Sequence, residues 1–232
     1  MEDMYLDGTY LKKNPTWHAE DSPWKAAGIL KMIYRNKLQP KLVCEVGCGA
    51  GEVLRCLSRN FNSGAEFHGF EIAKDAFINC LPKRAPNLKF FLMDVTRESN
   101  ELFYDLVLAI DVIEHVEDYF GFLRKIKGKG RYKIFHIPLD VSVMSILNIG
   151  AILNVREKCG HIHYFTKDLA LHSLNDAGYD IIDSFYTYRS LELGPKSVMT
   201  LAARLPRWIM FRVHQDFGIR LLGGASLMVL AQ

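Results

Sequence analysis

The chain has 232 residues, 49% of them hydrophobic, and a formal net charge of +3 at pH 7. This size and hydrophobic content are sufficient for one domain with a core covered on both faces. The charge is too small to indicate a nucleic-acid partner, and no apolar run is long enough to span a bilayer. We therefore expect no nucleic-acid partner and no stable membrane insertion.

The cysteines indicate a reducing compartment. They are odd in number and form no CxxC pair. The N-terminus is acidic and lacks the basic and apolar regions of a signal peptide. A cytoplasmic location is the expectation, with free thiols at all five positions: Cys44, Cys48, Cys56, Cys80 and Cys159.

A helix is predicted in the N-terminal segment. Asp21-Ser22-Pro23 is typical of a helix start, with Ser22 as the N-cap and Pro23 in the first turn. The helix is expected to continue over Lys25–Arg35.

A glycine-rich turn follows the first predicted strand. Residues 42–46 form a short apolar run, and Gly47, Gly49 and Gly51 permit a sharp turn into a helix over 51–60. The G-x-G-x-G spacing differs from the G-x-G-x-x-G of nicotinamide enzymes. The turn therefore predicts a ligand site of another kind.

Acidic residues close the next predicted strands. Residues 66–71 end in Glu71, whose carboxylate can accept hydrogen bonds from both hydroxyls of a ribose. A third strand is predicted over 89–95, with Asp94 near its end, and a fourth within 104–116. Because open α/β sheets bind ligands at the carboxyl ends of their strands, these positions are expected to share one site.

The rest of the chain alternates helices with strands, which predicts a mostly parallel sheet. Pro206 is expected to break a helical stretch within 201–222. Helices are predicted over 73–80, 116–127 and 166–177, and strands over 132–137, 179–188 and 225–231.

The chain resembles class I S-adenosylmethionine-dependent methyltransferases, particularly the ubiquinone-biosynthesis type. The features that carry the resemblance are the glycine turn, the acids after the second and third strands and the segment 104–116. The resemblance implies an α/β fold with a Rossmann-like, doubly wound sheet of seven strands. That sheet is mostly parallel, with an antiparallel last strand between the fifth and the sixth. We expect a single domain over 1–232, with an N-terminal helical arm (1–39), a cofactor-binding core (40–140) and helical cap or insertion elements (141–177 and 195–222).

The resemblance also implies S-adenosylmethionine as the cofactor. Glu45 is expected to orient its amino-acid end, and Asp94 to contact the adenine amino group between Ile72 and Met93. The complete set of cofactor-binding candidates is Glu45, Gly47, Cys48, Gly49, Gly51, Glu71, Ile72, Met93, Asp94, Val95, Ile110 and Asp111.

Methyl transfer to a hydroxyl group requires a base. His115 is the first candidate, because it follows the fourth strand and an imidazole titrates near neutral pH. Its alternative role is to contact the cofactor or a neighbouring loop. Asp111 and His161 are the other catalytic candidates. His161 and His163 alternate in an extended stretch, so both are expected to face one pocket.

The expected acceptor is a small molecule such as a sugar, a polysaccharide precursor or a secondary metabolite, methylated on oxygen or, less favoured, on nitrogen. In related enzymes the segment before the first strand folds over the cofactor. The run 141–155 and the segment 201–222 are expected to cap the acceptor pocket, and the second, with arginines among aromatic residues, could instead lie on a membrane surface. The substrate-binding candidates are Tyr10, Trp17, His18, Trp24, His136 and His163.

Two other functions stay open. Asp111, Glu114, His115 and His161 resemble the two-carboxylate, two-histidine metal site of small-RNA 3′-terminal ribose 2′-O-methyltransferases. Those relatives carry glutamate in place of Asp111, and the chain has no long basic stripe interleaved with aromatics. A divalent metal is thus an alternative rather than the expectation. The second alternative is a non-catalytic partner protein that binds the cofactor, and the sequence does not indicate an oligomeric state.

Overall fold

Seven strands form one sheet in the computed structural model, which describes residues 3–61, 64–96, 102–194, 201 and 204–232. The order across the sheet is β3-β2-β1-β4-β5-β7-β6. β7 pairs antiparallel with both β5 and β6, whereas the other pairings are parallel. The strands are β1 (Leu42–Val46), β2 (Glu66–Glu71), β3 (Leu88–Leu92), β4 (Tyr104–Ile110), β5 (Gly130–Pro138), β6 (Ile181–Thr187) and β7 (Ser226–Ala231). The predicted seven-stranded, doubly wound fold is confirmed.

Helices surround the sheet and precede it in an N-terminal arm. The arm contains α1 (Asp3–Leu6), α2 (Thr9–Lys13) and a 3-10 turn (Ala19–Asp21). The other helices are α3 (Ser22–Arg35), α4 (Glu52–Asn60), α5 (Lys74–Cys80), α6 (Tyr119–Lys127), α7 (Val143–Leu147), α8 (Ile149–Cys159), α9 (Lys167–Asp176), α10 (Arg189–Glu192), α11 (Arg204–Val213) and α12 (Gln215–Leu222), with a second 3-10 turn at Leu81–Lys83. Among the described residues, no helix has the length and apolar character needed to cross a membrane.

Alternate side chains of the central strand supply two separate cores. Val107 and Ala109 of β4 belong to the core that α6 and α9 cover. Leu106 and Leu108 belong to the opposite core, which α3 and α4 cover. Successive side chains of a strand point to opposite faces, so a strand buried on both sides must be apolar throughout. This explains why β4 reads as a continuous apolar run after Asp105.

Three predicted boundaries are wrong by a few residues. α3 begins at Ser22, and Asp21 occupies the N-cap position instead. β3 ends at Leu92, so Asp94 and Val95 lie in the loop beyond it. Helix α6 begins at Tyr119, because the Asp118 side chain accepts a hydrogen bond from the Gly121 N–H and caps it there.

The predicted helix break at Pro206 is also wrong. Pro206 lies within α11, which continues from Arg204 to Val213 without interruption. The interruption falls at His214, whose ring accepts from the Phe217 N–H and starts α12. Of the predicted 195–222 insertion, residues 195–200 and 202–203 lie outside the described residues.

Candidate active site

A cavity of about 350 Å³ lies at the carboxyl ends of the parallel strands, within the range usual for small-molecule sites. The glycine turn after β1, the end of β2 and the segment after β4 form its inner wall. The N-terminal arm and the start of α3 form the outer wall. The sheet topology therefore brings together the strand ends that the sequence singled out.

The glycine turn approaches its neighbours closely in one place and leaves space in another. Gly49 and Gly51 both have positive φ, 54° and 73°. A Cβ added at Gly51 would lie 2.6 Å from the Phe90 ring, whereas one at Gly49 would meet nothing within 4 Å. Gly49 lines the cavity and Gly51 does not. Gly51 is thus required for packing, while Gly49 leaves room for a ligand.

Glu71 is buried and holds the glycine turn against β2. Its carboxylate accepts hydrogen bonds from the N–H groups of Gly49 at 2.7 Å and of Ile72 and Ala73 at 2.8 Å. Burial raises the pKa of Glu71, and these three bonds oppose the rise. The carboxylate faces the cavity with Ile72 beside it.

Glu45 is a buried acid with unused hydrogen-bonding capacity. It is 2% exposed, and its Oε2 has no hydrogen-bond partner among the described residues. Burial raises the pKa of Glu45 well above its usual value. Such an oxygen is costly to leave unpaired, so the arrangement favours a ligand that donates to it or brings a positive charge.

Asp111 joins two basic side chains at the floor of the cavity. Its carboxylate lies 2.6 Å from Lys25 Nζ and 2.5 Å from His136 Nδ1. Burial opposes its ionisation, but the charges of His136 and Lys25 outweigh burial and hold the pKa of Asp111 well below its usual range. His136 Nε2 also bonds Thr187 Oγ1 at 2.9 Å. Asp111 is therefore an ionised group with its oxygens already engaged.

Glu114, His115 and His161 form a compact cluster on the same wall. One candidate ligand atom from each lies within 4.8 Å of the others. Glu114 is fully buried, and neither of its carboxylate oxygens has a hydrogen-bond partner in another described residue. Burial raises the pKa of Glu114 well above its usual value, with the charge of Asp111 adding to the rise. The cluster has the composition of a divalent-metal site, with two imidazoles and a carboxylate.

Both imidazoles of the cluster present Nε2 to it. His115 Nδ1 lies 3.2 Å from the Gly160 carbonyl oxygen, which can only accept, so Nδ1 carries the proton. His161 Nδ1 lies 2.7 Å from Asp140 Oδ2, which fixes the same tautomer. Burial lowers the pKa of His115 to about 3, so it is neutral at physiological pH. His115 Nε2 therefore carries a free lone pair.

Aromatic residues of the arm close the cavity from outside. The rings of Tyr5, Tyr10 and Trp17 pack in sequence at tilted angles of 34° and 44°, with ring centroids 4.7 and 4.8 Å apart. The Tyr5 hydroxyl lies 2.9 Å from His115 Nδ1 and donates to the Cys159 carbonyl at 3.1 Å. All three aromatic side chains line the cavity. Residues of the arm therefore form one wall of the cavity.

Most sequence-predicted residues line the cavity, and their roles stay predictions. Of the cofactor candidates these are Glu45, Gly47, Cys48, Gly49, Glu71, Ile72, Ile110 and Asp111. The three catalytic candidates, His115, Asp111 and His161, line it as well. So do four arm residues and one strand residue among the substrate candidates: Tyr10, Trp17, His18, Trp24 and His136.

Five predicted residues do not line the cavity. His163 turns the other way from His161, and its Nε2 bonds the Val116 carbonyl at 2.9 Å, so the two histidines do not share one pocket. Val95 is buried in a core, and the Asp94 carboxylate is used by the N–H and hydroxyl of Thr96. Met93 and Gly51 likewise lie outside the lining.

The predicted cap over the pocket requires correction. No residue of α7 lines the cavity, and of α8 only Cys159 at its C-terminus does. The described residues of 201–222 are absent from the lining too. The apolar side chains of these helices lie on the exterior instead. The arm, not these helices, covers the cavity.

Sequence reasoning missed two ion pairs in the lining of the cavity. Arg189 makes a bidentate pair with Asp21, with distances of 2.6 and 2.7 Å. Lys25 pairs with Asp111. Both pairs join residues far apart in the chain, so no local pattern marks them. Asp140, which orients His161, is likewise distant from that histidine in the chain.

Comparison with known proteins gives a family match and two similar plant enzymes. The model of a family described as a methyltransferase domain matches residues 25–184. Pavine N-methyltransferase from Thalictrum flavum subsp. glaucum is 27% identical over 128 residues, 51% of this chain and 36% of that protein. (S)-Coclaurine N-methyltransferase from Papaver somniferum is 26% identical with the same coverage. The chain thus matches little more than a third of the length of these curated relatives.

A solved structure shares the fold. Magnesium protoporphyrin IX methyltransferase from Synechocystis PCC 6803, crystallised with S-adenosylhomocysteine, superposes with a TM-score of 0.60. The alignment covers 95% of this chain and 85% of that chain at 17% identity. At this identity the likeness concerns the fold alone.

Proposed function

The chain belongs to the class I S-adenosylmethionine-dependent methyltransferases, and on that basis we propose that it methylates an oxygen of a small hydroxylated acceptor, such as a sugar, a polysaccharide precursor or a secondary metabolite. The observation that carries this proposal is His115. Its unprotonated Nε2 lies in the cavity wall, beside the buried carboxylate of Glu114 at 3.8 Å.

The residues present fit the cofactor. The unpartnered oxygen of Glu45 would accept from the amino group of its methionine end, and the open space at Gly49 would admit that end. Glu71 would receive the ribose hydroxyls, next to the exposed Ile72. When bound, the cofactor supplies a methyl group already activated by the positive sulfur.

Proton removal falls to His115. The acceptor hydroxyl becomes strongly acidic as it gains the methyl group, so even a weakly basic neutral imidazole can take its proton. Nδ1–H stays bonded to the Gly160 carbonyl, which keeps the Nε2 lone pair turned inward. Glu114 is fully buried 3.8 Å from Nε2, and an imidazolium formed there would lower the raised pKa of Glu114 and favour its ionised form.

The arm contributes position and exclusion of water. Tyr5, Tyr10 and Trp17 form an aromatic wall over the cavity, and the Asp21–Arg189 ion pair ties the end of the arm to the first residue of α10. Holding the acceptor in line with the methyl group is the main catalytic requirement, because little covalent work is left to the protein.

Paired acceptors test the proposal. We would incubate the protein with S-adenosylmethionine and acceptors that differ only in a hydroxyl or an amine, such as a hexose and its amino-sugar, and locate the methyl group by mass spectrometry. His115→Ala should lower kcat by about 10²–10⁴-fold with cofactor affinity unchanged. His172→Ala, an exposed histidine on α9, is the matched control. Methylation of amines alone, as the names of the plant relatives would suggest, would overturn the choice of oxygen.

Metal-assisted methylation of a terminal RNA ribose is the second candidate. It is favoured by the Glu114–His115–His161 cluster and by the two unpartnered oxygens of Glu114. Asp111, the fourth residue of the predicted set, is engaged by Lys25 and His136 instead. Two measurements test this candidate. Titration with Mn²⁺ should show binding of an ion that His161→Ala abolishes. The protein should also methylate the 3′ end of an RNA, and a chelator should stop that reaction.

A further inference from the structure

Two helical segments, joined through α12, expose many large apolar side chains on the exterior of the protein. α7 packs on α8 and on α12, and α12 packs on α11. We call the outward side of α7, α8 and α11 the outer face. Its large exposed hydrophobic side chains are Val143, Met144, Ile146, Leu147, Ile149, Leu153, Leu205, Trp208, Ile209 and Val213.

α11 is oriented so that one of its sides packs inward and the opposite side exposes its apolar side chains. Met210 and Phe211 face inward, against Gly218 of α12, and Phe211 also stacks on Tyr188. The opposite side presents one row of Leu205, Ile209 and Val213, at intervals of four residues, and a neighbouring row that contains Trp208. An amphipathic helix normally buries its apolar row. α11 instead directs that row to the exterior.

α7 and α8 show the same arrangement. Residues 141–155 contain no charged side chain. Leu147 is 77% exposed and Ile146 is 60% exposed. An exposed surface this apolar on a folded protein normally marks a site that binds another protein or a membrane.

Positive charge is concentrated around the same surface. Residues 143–159 and 204–222 carry six basic and two acidic side chains. Of the six, Arg207 is turned inward onto the Leu222 carbonyl and Arg220 pairs with Asp168, which leaves Arg156, Lys158, Arg204 and Arg212. The whole chain has 29 basic and 26 acidic side chains, so the remainder has one acid in excess. The Arg212 guanidinium lies 5.4 Å from the centre of the Trp208 ring, which places a cation beside an interfacial aromatic. Charge and apolar area therefore coincide.

We propose that the outer face binds the surface of an anionic lipid bilayer. The apolar rows enter the boundary between headgroups and acyl chains, and the exposed Arg156, Lys158 and Arg212 pair with lipid phosphates. A second copy of the chain fits less well, because two faces of the same positive charge would repel each other. α8 ends at Cys159, which lines the cavity, so the bound bilayer lies beside the active site. The inference does not depend on which acceptor is methylated.

Sedimentation with vesicles tests the proposal. The protein should sediment with vesicles of phosphatidylcholine mixed with phosphatidylglycerol, and much less with phosphatidylcholine alone or at high salt. The double variant Leu147→Ser/Ile209→Ser should lower the vesicle partition coefficient by about tenfold or more. Arg156→Gln/Arg212→Gln should lower it by about thirtyfold.

Matched variants elsewhere on the surface serve as controls. Ile78→Ser/Tyr34→Ser removes two comparably exposed apolar side chains from α5 and α3, and Arg59→Gln removes an exposed arginine from α4. These should partition like the unaltered protein. S-Adenosylhomocysteine titration shows that each variant is folded.

Absence of binding to anionic vesicles, or equal loss in the control variants, would overturn the proposal. A dimer that Leu147→Ser/Ile209→Ser dissociates, without vesicle binding, would assign the face to a second copy.

Discussion

Lys25 Nζ and Asp111 Oδ2 lie 2.6 Å apart, so that the first long helix is tied to the chain just after β4. Burial disfavours the charge on Lys25, but the carboxylate of Asp111 outweighs burial and raises the pKa of Lys25. Asp111 is held at a φ of 54°, in the left-handed region that non-glycine residues seldom adopt. The ion pair with Lys25 and the contact with His136 thus hold Asp111 in this strained conformation, four residues before the candidate base His115.

Removing the lysine should destabilise the protein in a pH-dependent way. Lys25→Met leaves Asp111 short of one charged partner, which we expect to cost about 1.5–3 kcal/mol at pH 7. Because the folded pKa of Asp111 is lowered well below its usual value of 3.8, the stabilisation is fully present above pH 3.8 and is lost progressively as pH falls from there towards the lowered pKa. Urea unfolding at pH 7 and at pH 3 should show a smaller difference at pH 3. Lys74→Met, on the exposed start of α5, is the control, and an equal loss in both variants would contradict the prediction.

Two glycines of the same turn should respond differently to alanine. At Gly51 a Cβ would lie 2.6 Å from Phe90, so Gly51→Ala should destabilise the fold by about 2–4 kcal/mol. At Gly49 only the left-handed backbone is penalised, and about 1 kcal/mol is expected. The Gly49 methyl would project where the ligand is expected, so this variant should bind S-adenosylhomocysteine more weakly while remaining folded. Thermal unfolding and calorimetric titration measure the two effects separately. Similar losses of stability in the two variants would show that Gly51 is not under tighter packing constraint than Gly49.

The contrast between these glycines also shows what the sequence could predict. Their spacing after an apolar run indicated the turn, and the acids at the ends of β2 and β4 indicated the edge of the sheet where the cavity lies. Those signals are local, since each depends on a strand and the few residues after it. The order of the strands, including β7 between β5 and β6, came from the resemblance to a known family.

The partners within the site could not be predicted in this way. Asp21 and Arg189 meet only because the arm and the end of β6 converge at the cavity mouth. The direction of His163 depends on the local path of the chain after Gly160, which takes it towards the Val116 carbonyl. α7 and α11 were expected over the pocket because they are apolar, but an apolar helix can equally face outward when another surface covers it.

Loss of the carboxylate at the end of β2 should weaken cofactor binding. Glu71→Ala removes a buried acceptor that faces the cavity and also frees the Gly49 N–H from its 2.7 Å bond. The affinity for S-adenosylmethionine should fall by about 1.5–3 kcal/mol, which is the usual cost of losing hydrogen bonds to a charged group. Isothermal titration measures it directly. Glu66→Ala, at the far end of the same strand, should bind normally, and unchanged affinity in Glu71→Ala would refute the site assignment.

The closed position of the arm should depend on its bonds to the C-terminus of α8. Lys13 Nζ donates to the Glu157 carbonyl at 2.7 Å, and Asn14 Nδ2 donates to the Lys158 carbonyl at 2.8 Å. The last carbonyls of a helix have no partner within it, so the arm satisfies them and places a positive charge at the negative end of the helix dipole.

Breaking these bonds should open the arm without unfolding the protein. Lys13→Met/Asn14→Ala removes two hydrogen bonds, each contributing about 1 kcal/mol, so the open population should rise by about tenfold or more. Chymotrypsin cleavage after Tyr10 or Trp17, followed by mass spectrometry, reports that population, because both rings are packed in the closed arm. Lys12→Met, which removes the same charge from the neighbouring position, should be cleaved at the original rate. If the double variant is cleaved no faster, the stacked rings and the Tyr5 hydroxyl alone hold the arm closed, and the contribution of α8 to the closed state is negligible.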